Sequence, residues 1–76
     1  MKELLTFMVK SLVDHPDEVD IQERESTGET VYEVRVAKGD MGKVIGRQGR
    51  IVRQIRVIMK ALAQRLGKKV SVDILD

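Results

Sequence analysis

Apolar residues recur along this chain with two different periods, and the alternation between the periods lays out its elements. Over residues 2 to 14, Leu4, Leu5, Met8, Val9 and Leu12 follow the three-and-four spacing of an amphipathic helix. The stretch DHPDEV ends that helix, because Pro16 disfavours helical backbone at His15 and the acidic residues behind it suit a turn. The period then drops to two. In EVDIQERE, Val19 and Ile21 alternate with polar residues, and in TVYEVRVA, Tyr32, Val34 and Val36 alternate with Glu33 and Arg35. Both read as half-buried strands, and STGE between them, with Gly28, reads as the turn of an antiparallel hairpin.

Helical spacing returns after residue 38. Asp40 is placed to cap a short helix from Met41 to Ile45, which Gly46 terminates. A longer helix is expected from about Gly49 to Leu66. At 100° per residue, Ile51, Val52, Ile55, Ile58, Met59, Leu62, Ala63 and Leu66 share one broad arc opposite Arg50, Arg53, Gln54, Lys60 and Gln64. Gly67 is its natural C-cap, and VSVDIL supplies a last strand with Val70, Val72 and Ile74 inward. The predicted order is α-β-β-α-α-β. Because a helical crossover joins the second strand to the third, those two are expected to pair in parallel, making a mixed three-stranded α+β sheet with three helices on one face.

Seventy-six residues hold one domain, here residues 1–76, around a small core. LLTFMV is too short, and too soon interrupted by Lys10, Asp14 and Asp17, to be a signal or a membrane helix, so the chain reads as cytoplasmic without a membrane partner. Without cysteine there is no disulfide or thiolate chemistry, and one histidine builds no His-rich metal site. His15 itself reads as a partner for the dipole of the first helix rather than as a ligand. The carboxylates of the strands alternate toward solvent, and no base, nucleophile or metal set converges on one place. Neither an enzyme nor a cofactor is therefore expected. The formal net charge of +2 conceals a division of the chain: residues 1–37 carry four basic and nine acidic side chains, whereas residues 38–76 carry ten basic and three acidic. A positive field confined to one half suits a polyanionic partner.

That basic half contains GKVIGRQGRIVRQI, Gly42 to Ile55. Gly-x-x-Gly alone is a common spacing, and a tight helix-helix turn without a ligand accounts for it equally well. The context separates the two readings. The pair Gly46 and Gly49 joins two helices, the second of which starts with unpartnered amides at its positive dipole end. Without side chains at 46 and 49 a sugar-phosphate backbone could approach the loop, with Arg47 on a phosphate, Gln48 as a neutral hydrogen-bonding group, and Lys43, Arg50 and Arg53 around it. The Walker and dinucleotide-binding glycine patterns are both missing, so single-stranded nucleic acid fits better than a mononucleotide. Bases would lie over Val44 and Ile45, one of which is expected to be buried and the other at the groove, while polar groups at the sheet edge read their edges. Phe7 and Tyr32 are the only aromatic residues and neither is near the motif, so aromatic stacking is not the expected mode.

VIGRQGRIVRQI, Val44 to Ile55, resembles the signature of KH domains, and the element order resembles their type II, bacterial form over the whole chain. A single KH domain of this length is similar to the KhpA-type small RNA-binding proteins of bacteria. The resemblance implies a loop, Gly46, Arg47, Gln48 and Gly49, that clamps about four nucleotides of single-stranded RNA, or of single-stranded DNA. It implies homodimers, a heteromer with a larger KH protein of the KhpB or Jag type, and a role as RNA chaperone or post-transcriptional regulator linked to cell shape and cell-wall organisation. A second reading makes the chain a protein-interaction or dimerisation subunit whose own RNA contact is secondary. Arg56, Lys60 and Arg65 read as a solvated helix face, Ile51, Ile55 and Ile58 as core, and Phe7, which falls off the apolar stripe, as an exposed side chain of the ordinary single kind ahead of an interface residue.

Overall fold

The computed structural model describes residues 1–75. Helix α1 (Lys2–Leu12) seals the core with Leu5 and Val9, while Met8 and Leu12 pack at its margin and Leu4 lies exposed at the edge of the stripe. A single 3-10 turn, Pro16–Glu18, leads into β1 (Asp20–Ser26), which pairs antiparallel with β2 (Glu29–Arg35). Thr27 and Gly28 make the connection, both at positive φ (52° and 77°), which is the signature of the type I′ turn whose twist matches that of its strands. A 3-10 turn at Lys38–Asp40 then runs into α2 (Met41–Ile45), and a second at Arg47–Gly49 runs into α3 (Arg50–Arg65). β3 (Val70–Ile74) closes the sheet by pairing in parallel with β2, and the strand order is β1-β2-β3.

The expected α+β fold, with its mixed sheet and three helices, is therefore the one observed. Tyr32 and Val34 from the central strand, Ile21 from β1, and Val70 and Val72 from β3 meet Val44 of α2 and Ile55, Met59 and Ala63 of α3 in one continuous cluster with Leu5 and Val9. Burial of each such side chain is worth about 1.5–3 kcal/mol. The long arc assigned to α3 is narrower than its periodicity suggests: Ile58 is exposed in a groove between α1 and α3, and Leu66 is exposed just past the end of the helix. α3 ends in a Schellman-type closure, with the Lys68 N–H on the Ala63 carbonyl and the Gly67 N–H on that of Gln64.

Two local assignments are corrected by tertiary contacts. Asp40 does not cap α2. Its backbone is already helical, the chain having entered α2 through the 3-10 turn, and its carboxylate is 1% exposed and directed at the α1–β1 connection. There Oδ2 accepts the His15 backbone N–H at 3.0 Å and lies 3.2 Å from the His15 ring Nδ1. His15 in turn lies beyond the end of α1 and serves no helix dipole; it ties the connection to the start of α2. Burial alone would push the Asp40 carboxyl up, but the N–H groups of His15 and Asp14 and the His15 ring outweigh it and hold the carboxyl below its ordinary range.

Candidate nucleic-acid interface

The Gly46–Gly49 loop owes its shape to three departures from ordinary backbone. Gly46 sits at φ 77°, ψ 171°, a region essentially confined to glycine, where it stops α2 with its N–H on the Gly42 carbonyl. Gln48 (φ 57°) and Gly49 (φ 72°) are left-handed. The two glycines are required for different reasons. A Cβ on Gly46 would stand 2.6 Å from Cγ1 and 2.8 Å from Cβ of Ile51, so the first turn of α3 is packed directly against the loop backbone. A Cβ on Gly49 would meet no atom within 4 Å. Gly49 is thus a conformational requirement under open space. Gly42 is helical and equally open, and nothing in its surroundings demands glycine.

The amides differ from the sequence expectation in one respect. At the head of α3 two amides are taken up within the loop, Gly49 N–H donating to the Gly46 carbonyl and Arg50 N–H to that of Arg47. The 3-10 geometry of the loop draws them inward. Arg47 and Gln48 form the exposed tip of the loop.

Around this tip the charged candidates divide. Arg47, Arg50 and Arg53 are exposed and make no ion pair among the described residues, and Arg50 Nη2 lies 3.4 Å from Gln48 Oε1. Lys43 faces a different duty: its ammonium is 3.3 Å from Asp14 and 3.7 Å from the buried Asp40, so its charge is already balanced on the α1 side of α2. Val44 is fully buried while Ile45 is half-buried, the division expected for that pair.

Sequence reasoning passed over Arg56. Its Nε donates to the Val72 carbonyl at 2.9 Å, reaching from α3 to the free edge of β3. Spacing offered a signal, since Gly49, Arg53, Arg56 and Lys60 follow one another at four, three and four residues and share a helix face. The partner on β3, sixteen residues away, was not legible. Among the described residues no group of three or more acidic, histidine or cysteine side chains is disposed to hold a metal. Nor is any helix long and apolar enough to cross a membrane.

Comparison with known proteins agrees with this fold. A family model described as KhpA/KhpB, KH domain, matches residues 2–74. Proteins named RNA-binding protein KhpA are 46% identical in Chlamydia muridarum, over the whole chain and 97% of the relative, and 49% identical in Clostridium acetobutylicum, over 99% of the chain and the full relative. Among solved structures, Aquifex aeolicus Era bound to GDP and an aluminium fluoride superposes with a TM-score of 0.64 at 18% identity, over 95% of this chain and 28% of that one. Era in complex with a GTP analogue and nucleotides 1506–1542 of 16S ribosomal RNA superposes equally well, again as a likeness of fold. The chain belongs to the KhpA/KhpB family of KH domains.

Proposed function

We propose that this chain is a non-catalytic binder of single-stranded RNA that holds the sugar-phosphate backbone at Gly46–Gly49. The observation that carries the assignment is the loop itself: an exposed tip at Arg47 and Gln48, with open space at Gly49, flanked by the exposed Arg50 and Arg53. Amides and guanidinium groups together make charge-assisted bonds to phosphate oxygens, and no base identity is needed for them. Its relatives' name, RNA-binding protein KhpA, supports the RNA half of the reading. Ile45, half-buried beside the loop, offers an apolar surface on which a splayed base can rest.

The test is binding of a short single-stranded RNA by wild type and by Arg47→Asp, Gln48→Asp. Both side chains are exposed, so the variant should fold. Affinity should drop severalfold or more, and the log-log salt dependence of wild type should fall with a slope of roughly −0.7 per neutralised phosphate. Equal affinity in the folded variant refutes the loop assignment.

A second activity is favoured by one observation. Phe7 is 70% exposed beside an apolar groove of about 460 Å³ formed by Met8 and Leu12 of α1 with Ile51, Ile55 and Ile58 of α3. In this reading the face pairs with a second copy of the chain, or with a KhpB/Jag-type KH protein, and the assembly acts in the cytoplasm as an RNA chaperone in pathways of cell shape and cell-wall organisation. Sedimentation of wild type and Phe7→Ser decides it: a dimer weakened by the substitution supports pairing through this face, and a monomeric wild type removes the homodimer.

A further inference from the structure

The open edge of the sheet has a chemistry of its own. Thr30 N–H donates to the Lys69 carbonyl and Leu75 N–H to that of Val34, so the odd-numbered residues from 69 to 75 turn their backbone groups toward β2. In a parallel ladder the alternate residues, Val70, Val72 and Ile74, then present N–H and C=O outward. One of those carbonyls, that of Val72, is taken by Arg56 Nε at 2.9 Å. The bond holds the guanidinium against the middle of the edge, and its Nη1 and Nη2 groups have no partner among the described residues. Arg56 lies seven residues past Gly49 on the same face of the helix, about 10 Å along its axis, with the exposed Arg53 between them. A strand of four nucleotides, advancing at least about 3.4 Å per step, spans that distance.

From this geometry we infer that Arg56 is a specificity residue that selects guanine at the β3 edge when RNA occupies the loop. The inference rests on the proposed phosphate contact at Gly46–Gly49. Tethering by Nε restricts the plane of the fork and leaves the end-on pair Nη1 and Nη2, which matches the adjacent O6 and N7 acceptors of guanine. Val72 itself is buried, its carbonyl already accepting from Arg56, so the exposed end of the guanidinium is the group left to meet a base. Guanine offers two acceptors to this array; adenine offers N7 beside an amino donor at N6, which opposes a guanidinium N–H. Arg56 makes no chemical step and is not needed to hold the backbone.

The probes are octamers of uridine, unsubstituted or carrying one central guanosine, adenosine or 7-deazaguanosine. With wild type, the guanosine octamer should bind more tightly than the adenosine octamer by about 5- to 150-fold, the range of one bidentate base contact. 7-Deazaguanosine, lacking the N7 acceptor, should lose much of that advantage. Arg56→Gln should abolish the guanosine advantage or turn it toward adenosine, because a Gln amide matches adenine N6 and N7, and should leave the unsubstituted uridine octamer at its wild-type affinity. Arg47→Asp, Gln48→Asp should weaken all octamers and keep their ranking. A wild-type guanosine-to-adenosine ratio near one, indifference to 7-deazaguanosine, or a ratio unchanged in Arg56→Gln each overturns the inference; in the last case the Arg56 bond only shields a strand edge. If Arg56→Gln does not fold, the 7-deazaguanosine comparison on wild type decides alone. Undiminished binding by the loop variant, by contrast, refutes the phosphate contact whatever Arg56 does.

Discussion

Replacing each loop glycine by alanine should separate two physical requirements that the motif merges. At Gly46 the new methyl meets Cγ1, Cβ and Cδ1 of Ile51 at 2.6, 2.8 and 2.9 Å. The Cβ is fixed to the backbone of α3, so a rotamer change of Ile51 cannot clear it. Holding a non-glycine residue at φ 77°, ψ 171° costs about 1–3 kcal/mol, and overpacking adds about 1–3 kcal/mol, for a total of about 2–6 kcal/mol. A domain of this size has about 4–11 kcal/mol of stability, so Gly46→Ala should remove a large part of it. At Gly49 only the left-handed conformation is at stake, about 1–2 kcal/mol, because the space is open. Urea unfolding followed by circular dichroism reads the difference: with a slope near 1 kcal/mol/M, the midpoint should fall by about 2 M or more for Gly46→Ala and by about 1–2 M for Gly49→Ala. Adding Ile51→Ala completes a double-mutant cycle: it removes the contacts with Cγ1 and Cδ1 and leaves that with Cβ, so a part of the overpacking, on the order of 1 kcal/mol, should reappear as favourable coupling. Equal losses at the two glycines, or no coupling to Ile51, would refute the assignment of distinct roles.

Other predictions concern the ties outside the loop. Thr27 is β-branched yet sits at φ 52° in the hairpin turn, so Thr27→Asn should raise stability by about 1 kcal/mol and the melting temperature by about 4–8 °C in calorimetry. Asp40 has its pKa lowered in the fold, so its contribution is present above the ordinary carboxylate pKa of about 3.9 and disappears as pH falls through the lower folded value. Stability measured from pH 7 to 2 should accordingly fall away below about pH 4, and Asp40→Asn, less stable at neutral pH, should show a shallower acid limb. At the other extreme, burial, with Glu23, Glu3 and Glu25 near by, pushes the Tyr32 phenol up. Its neutral form is favoured in the fold, so stability should decline above about pH 10, and Tyr32→Phe should flatten that decline in the same titration.

Element types and the position of the glycine loop were legible in the chain because they follow from local rules: period 3.6 or 2, proline after α1, glycine at both ends of the α2–α3 junction. The boundaries of α2, Met41–Ile45, and the parallel pairing of β2 with β3 follow from the same rules joined to the crossover argument. Local rules failed where a side chain had a choice of partners. Asp40 suits a helix cap by position, yet its carboxylate serves His15, twenty-five residues earlier. Lys43 belongs to the basic cluster by sequence but is neutralised by Asp14 and Asp40. Arg56 looks like one more solvated arginine until β3 arrives beside it. By itself the sequence determined the elements, the separation of charge and a loop able to expose its backbone, since each depends on residues within a few positions of one another. Which cations are neutralised and which arginine reaches the sheet edge were decided by tertiary structure, because hydrogen bonds and ion pairs form over a few ångströms of space and are indifferent to distance along the chain.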